Sequence, residues 1–299
     1  MIDFFSIATD IYRLRKWREA HRALVFVARA YLHYGSLRRL VAFFQETEAR
    51  RAIYAANKLP IEQATRAFFY AGSTVTERVA LIEEHFRQEE QILSPAWYVK
   101  LNLEGTYPLW RAAADDLDWY AALHMEPGQR KEGLLALDMY LGRDTLYQIM
   151  FWLGKNVAGE RTLTIGAMQG PNMANARDVI KETTKRAHRY RTKNLILYLL
   201  QAVARGFGVE RIYAVSNDGY YAMNHLRRDR KLKTDFGAFW EEAGGAVTED
   251  ARFYELPLTE HRKTMEEVPT RKRATYRKRY AFQDDVDAQV AAAIEEIRR

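Results

Sequence analysis

The sequence predicts an α+β fold in which a helical N-terminal part precedes a mixed sheet flanked by helices, and three observations carry that expectation. Residues 1–125 are rich in helix formers, with apolar residues at three- and four-residue spacing. From Gly133 onward the texture changes to short apolar runs separated by turns containing Gly and Asp. Beyond Ala176, long helical stretches alternate with single strands, an order that belongs to the α+β class.

Within the first part, Trp17 to Tyr31 presents an apolar face, and Glu62 to Tyr70 and Thr76 to Gln91 repeat the pattern, with Thr76 as the expected N-cap of the last. Pro60, Pro95 and Pro108 punctuate it. Leu134–Leu141, Leu146–Leu153 and Arg161–Met168 read as three strands of an antiparallel meander, turning at Gly142-Arg143-Asp144 and between Gly154 and Gly159. A helical stretch from Ala176 to Phe207, broken near Arg191, closes at Gly206-Phe207-Gly208. Arg211–Ser216 reads as a buried strand. A helical segment reaches Glu242, Gly244-Gly245 turns the chain, and Arg252–Leu256 is the last strand. The chain thus divides into a helical region 1–125, a core 126–262 and a basic helical C-terminal tail 263–299.

Composition removes several classes of chemistry. With 48% hydrophobic residues among 299, a sizeable core is expected. Without cysteine there is no disulfide, thiol nucleophile or thiolate ligand, and without HExxH or an acidic calcium loop no metal site is expected. No run of about 18 apolar residues exists and Asp10, Arg13 and Arg15 interrupt the N-terminus, so the expectation is a cytoplasmic protein, at most peripheral to the inner membrane. A net charge of +7 favours an acidic partner: a carrier protein, a cofactor phosphate, a lipid headgroup or nucleic acid.

The order meander, helix, strand, helix, strand is similar to that of GNAT acyltransferases. Arg189–Leu200 resembles their basic loop and helix, which hold the donor's pyrophosphate, and Val209–Asp218 resembles the strand and Asn that follow. Main-chain donors at a helix start, with Arg and Lys, stabilise phosphate. The resemblance therefore implies donor contacts from Lys185, His188, Arg189, Arg191, Thr192, Lys193, Asn194 and Asn217, with Gln169 and Gly170 where the sheet opens for the acyl arm. Thr192 and Asn194 stand where GNAT enzymes usually place glycines. That departure favours the acyl-phosphopantetheine of an acidic carrier protein over plain acyl-coenzyme A. Ile165–Gly170, Thr184–His188, Phe239–Gly245, Tyr254–Leu258 and Glu267–Tyr280 resemble the bacterial VirK/YbjX family over roughly residues 60–285. That family is associated with envelope and virulence phenotypes and implies no particular chemistry.

Acyl transfer needs a base for the acceptor's proton and an acid for the departing thiolate. After the fourth strand, His225 or Asp218 is a candidate base and Tyr221 a candidate acid; packing of Tyr220 and Tyr221 and a surface position for His225 are the plainer reading. His124 and Asp138 form a second candidate pair, resembling toxin-activating acyltransferases, which work with a His and an Asp. Gln169 and the amides near Gly170 either polarise a thioester carbonyl or simply end a strand. The basic stretch Lys185–Lys193 is either a phosphate site or a solvated face. Tyr140, Tyr147, Met150, Phe151, Trp152 and Met168 either line an acyl tunnel or pack as core. Six basic residues in Arg271–Arg279 suit a carrier protein or anionic lipid, or a solvated helix neutralised by Asp284, Asp285 and Asp287; nucleic acid ranks last for want of a motif. The expected activity is transfer of an acyl, chiefly fatty, group to an amine or hydroxyl of a peptide or lipid. The alternative is a non-catalytic envelope accessory that keeps the fold.

Overall fold

The computed structural model describes residues 1–103, 105–113, 117–125, 131–223 and 235–299. Seven helices open the chain: α1 (Phe4–Ile11), α2 (Trp17–Leu32), α3 (Tyr34–Gln45), α4 (Glu48–Ala56), α5 (Leu59–Thr65), α6 (Val75–Ile92) and α7 (Pro95–Leu103). Helix α6 is capped by Thr74 rather than Thr76. The Thr74 hydroxyl accepts from the Glu77 amide while the Glu77 carboxylate accepts from the Thr74 amide, a reciprocal box that Thr76, with Val79 three residues on, cannot form. The helix expected from Glu62 to Tyr70 stops at Thr65, because Phe69 turns left-handed (φ 65°) and its amide donates to Lys131 O.

One eight-stranded sheet follows, built from β1 (Thr106–Arg111), β2 (Trp119–Met125), β3 (Leu135–Leu141), β4 (Asp144–Lys155), β5 (Arg161–Gln169), β6 (Arg211–Val215), β7 (Ala246–Val247) and β8 (Phe253–Leu256), in the order β1-β2-β3-β4-β5-β6-β8-β7. Strands β1 to β5 are antiparallel, β5 and β6 are parallel, and β8 pairs antiparallel with β6 and β7. The remaining helices are α8 (Ala176–Arg186), α9 (Thr192–Gly206), α10 (Phe236–Glu242) and α11 (Arg273–Ile297). The fold is thus α+β: helices first, then a mixed sheet with flanking helices.

One sequence expectation is corrected. Residues 1–125 are not all helical, since β1 and β2 lie within them and extend the meander from three strands to five. Their aromatic content favours a pleated surface, and Pro108 sits in edge strand β1 beside a register shift, where a missing amide costs no ladder bond. The basic C-terminal segment is helical and packs into the core. Val286, Val290, Ile294 and Ile297 of α11 are buried, each burial contributing about 1.5–3 kcal/mol, and Phe282 packs on Trp110 and Trp119. A single buried cluster runs from Phe4 to Ile297.

The parallel β5–β6 pairing ends at Ile165 and Ala214, while β5 continues to Gln169 alongside β4 alone. The sheet therefore opens beyond Gly166. A Cβ on Gly166 would lie 1.7 Å from Glu132 O, so glycine is what lets the segment before β3 cross the strand. Among the described residues no helix is long and apolar enough to cross a membrane.

Candidate active site

Strand alternation sorts the sheet's side chains into two faces. Trp119 stacks on Phe282, so α11 covers its face of β2, and Tyr120, Ala122 and His124 point to the other. The β2–β3 register pairs Ala122 with Asp138 and His124 with Ala136, which sets His124 and Asp138 diagonally on one face. His124 Nε2 lies 3.3 Å from Asp138 Oδ2, and His124 Nδ1 lies 3.0 Å from the carbonyl of Met125. The carbonyl assigns the proton to Nδ1, which leaves the buried Nε2 facing the Asp138 carboxylate. Tyr140, two residues beyond Asp138, donates its hydroxyl to Oδ2 at 3.0 Å while its ring stacks on Tyr120.

The polar row continues across the sheet. Asp138 pairs with Gln148 and Gln148 with Gln169, so Asp138 and Gln169 stand two strand spacings, about 10 Å, apart. Asp138 Oδ1 and Gln148 Oε1 are buried and have no hydrogen-bond partner among the described residues. Leaving such atoms unmet costs about 1–3 kcal/mol each, which an N–H or O–H of a bound molecule would offset. A cavity of about 230 Å3 adjoins Gln148, lined also by Gln169, Gly170, Asn172 and Met173 with Asp144 and Thr145. Of the sequence candidates, the structure brings together His124 and Asp138 directly and places Gln169 and Gly170 along the same row.

Gln148 and the Tyr140–Asp138 hydrogen bond escaped sequence reasoning. The signal for Gln148 was a lone amide inside the apolar run Leu146–Leu153; for Tyr140 it was its two-residue offset from Asp138. The expected acyl tunnel does not form from the six residues named for it. Tyr140, Met150 and Trp152 share the His124 face, whereas alternation turns Tyr147, Phe151 and Met168 to the opposite one.

The second candidate cluster lies where the sheet opens. Asp218 is exposed in the turn after β6. Tyr221 is half-buried, its ring 4.8 Å from Tyr220 and 5.6 Å from the Lys131 ammonium. Tyr220 donates to Glu132 Oε1 at 2.9 Å, and burial together with that carboxylate raises its phenol well above the ordinary range. Asn217 braces α10, donating to Asp235 and accepting from the Phe236 amide, both at 2.8 Å. His225 lies outside the described residues.

The expected donor loop is partly committed to the fold. His188 and Arg189 adopt left-handed φ of 52° and 64°, the conformation glycine ordinarily supplies, four and three residues before Thr192. Their carbonyls accept from Arg279 of α11. Burial, with Lys278 and Arg279 nearby, lowers the His188 pKa. Arg191 and Lys193 both pair with Glu242, and the Lys193 ammonium sits 4.5 Å from the Phe239 ring. The buried Thr192 hydroxyl meets those of Thr183 and Thr184 at 3.0 and 3.3 Å. Asn194 Oδ1 is buried and has no hydrogen-bond partner among the described residues. Lys185 and Arg189 are exposed. Among the described residues no group of three or more His, Cys, Asp or Glu is arranged to hold a metal ion.

Fold and site together describe an α+β protein with a His–Asp pair on an open polar row of its sheet. Residues 15–292 match the family described as "Protein of unknown function (DUF535)", and the chain belongs to that family, the VirK/YbjX family of its motifs. It is 36% identical over 135 residues to the uncharacterized protein YbjX of Escherichia coli K12, a match spanning 44% of this chain and 41% of that protein. An uncharacterized Haemophilus influenzae protein is 24% identical over 282 residues, covering 93% of this chain and 91% of the relative. Among solved structures, a mutant of a cAMP-binding acyltransferase from Mycobacterium smegmatis superposes with a TM-score of 0.27 at 11% identity, over 72% of this chain and 61% of the other. A likeness of that size carries no argument.

Proposed function

We propose that the chain is an acyltransferase that moves an acyl group from a thioester donor, coenzyme A or the phosphopantetheine of a carrier protein, to an amine or hydroxyl of a peptide or lipid. The observation that carries this reading is the His124–Asp138 pair, with a buried, unpartnered Asp138 oxygen and the Gln148–Gln169 cavity along the same row. His124 takes the acceptor's proton at Nε2 while Asp138 holds the ring and stabilises its charge. The acceptor's nitrogen or oxygen attacks the thioester carbonyl carbon, the C–S bond breaks, and the proton passes from His124 to the thiolate sulfur. The amides of Gln148 and Gln169 supply donors for the carbonyl oxygen as it gains charge.

Incubation of the purified protein with acyl-coenzyme A and acyl-carrier panels, read by intact mass and thermal shift, tests the reading. Binding or acyl loss with at least one donor, reduced in His124→Ala, is the expected result; silence toward every donor contradicts it. One observation favours a second reading, a non-catalytic accessory protein: Arg191, Lys193 and the Thr192 hydroxyl are all engaged inside the fold. Arg191→Ala and Lys193→Ala variants that lose only stability, alongside a wild type silent to all donors, favour that alternative.

A further inference from the structure

Helix α2 buries one face and leaves the other uncovered. Ala23, Phe26 and Ala30 are buried, whereas Trp17 is 81% exposed, Leu24 62%, Tyr31 46% and Leu32 78%. Trp17, Leu24 and Tyr31 recur every seven residues, and Ala28 lies between them, so the apolar residues form one stripe along a helix about 24 Å long. Arg18, Arg22 and Arg29 run beside the stripe, a row set at four- and seven-residue spacing. Arg13, Arg15 and Lys16 precede it, giving residues 12–32 six Lys or Arg against one Glu. The side chains of Arg13, Arg15, Lys16 and Arg18 are exposed and make no hydrogen bond or ion pair among the described residues.

We propose that the outer face of α2 is a docking surface for an anionic phospholipid bilayer. The proposal stands apart from the acyl-transfer reading. Charge complementarity selects the occupant: a second copy of the chain would bring like-charged rows together, while an anionic surface neutralises them at about 1 kcal/mol per Lys or Arg. The shape agrees. The stripe runs the length of the helix, and Trp17 at one end with Tyr31 near the other places amphipathic rings at headgroup depth. The arginines keep their charge at the interface while their stems cover apolar surface.

Cosedimentation of the full chain with vesicles tests the proposal, comparing equimolar phosphatidylcholine and phosphatidylglycerol with phosphatidylcholine alone. The expected result is binding to the anionic vesicles at least about tenfold tighter than to the neutral ones, weakened by salt. A Trp17→Ser/Leu24→Ser variant should lose about tenfold or more in binding with its thermal unfolding unchanged. Replacing Arg13, Arg15, Lys16 and Arg18 by Gln should abolish the preference for anionic lipid. Absence of wild-type binding to anionic vesicles, or variants that bind as wild type does, overturns the proposal. So does binding of an acidic carrier protein that the same variants abolish, in the absence of vesicle binding, which would assign the face to a protein partner.

Discussion

Among the described residues there are two histidine–carboxylate pairs, and their environments differ. In α6, His85 Nε2 lies 3.6 Å from Glu89 Oε1 with both side chains 1% exposed; on the sheet, His124 and Asp138 are 3.3 Å apart and 14% and 6% exposed. The helical pair is closed into the fold. His85 Nδ1 accepts from the Leu153 amide, Asn102 donates to Glu89, and burial moves the two groups to their neutral forms, His85 down to about 3 and Glu89 up to about 8. In the sheet pair His124 Nε2 faces the Asp138 carboxylate, whose other oxygen is buried and has no hydrogen-bond partner among the described residues. Both pairs leave one carboxylate oxygen buried and unpartnered among the described residues, Glu89 Oε1 in one and Asp138 Oδ1 in the other, so what separates them is the partial exposure of the sheet pair.

The comparison can be broken by substitution. His124→Ala should lower acyl transfer by about 10²- to 10⁴-fold, the usual contribution of a positioned base, with the unfolding midpoint nearly unchanged. Equal activity in that variant would return the sheet pair to a structural role. His85→Ala should do the reverse. It leaves the Leu153 amide without its acceptor and opens a void beside Phe86, costing roughly 2–4 kcal/mol in urea unfolding, while the rate per folded molecule stays the same. Tyr140→Phe removes one hydrogen bond to Asp138 and keeps the stacked ring, for a loss of about 3- to 10-fold in rate.

The smallest effect concerns pH. Unfolded Glu89 ionises near its ordinary 4.5, whereas the folded carboxyl holds its proton to about 8, so stability falls as pH rises across that window. His85 works in the opposite sense, its share being lost as pH falls from 6.5 toward about 3. Urea midpoints measured against pH should therefore decline on the alkaline side in the wild type, and Glu89→Gln should flatten that decline. An unchanged slope in the variant would mean that Glu89 is not the group responsible.

Much of the fold was legible from periodicity. The helices, the strands from Leu135 onward and the break near Arg191 follow local pattern, which neighbours alone decide. Strands β1 and β2 were hidden because Trp-Tyr-Ala-Ala-Leu suits a helix and a strand alike, and only pairing with β3 settles the matter. The site was legible in its types and not in its geometry. His124 and Asp138 stood out as a His and an Asp near the start of the meander, but their contact depends on the β2–β3 register, and Gln148 joins them only through the β3–β4 register. The donor loop shows the converse: a run of basic residues looks like a site, while Glu242, which pairs two of them, lies on α10 some 50 residues away.

The central claim is that the sheet pair, and not the helical one, moves protons in acyl transfer. Release of free thiol from the acyl-thioester panel, measured side by side for wild type, His124→Ala and His85→Ala at matched folded concentration, tests it most directly. Release by wild type and His85→Ala, with a loss of about 10²-fold or more in His124→Ala, is the expected result. Release that survives intact in His124→Ala, or that fails in the wild type with every donor, contradicts it.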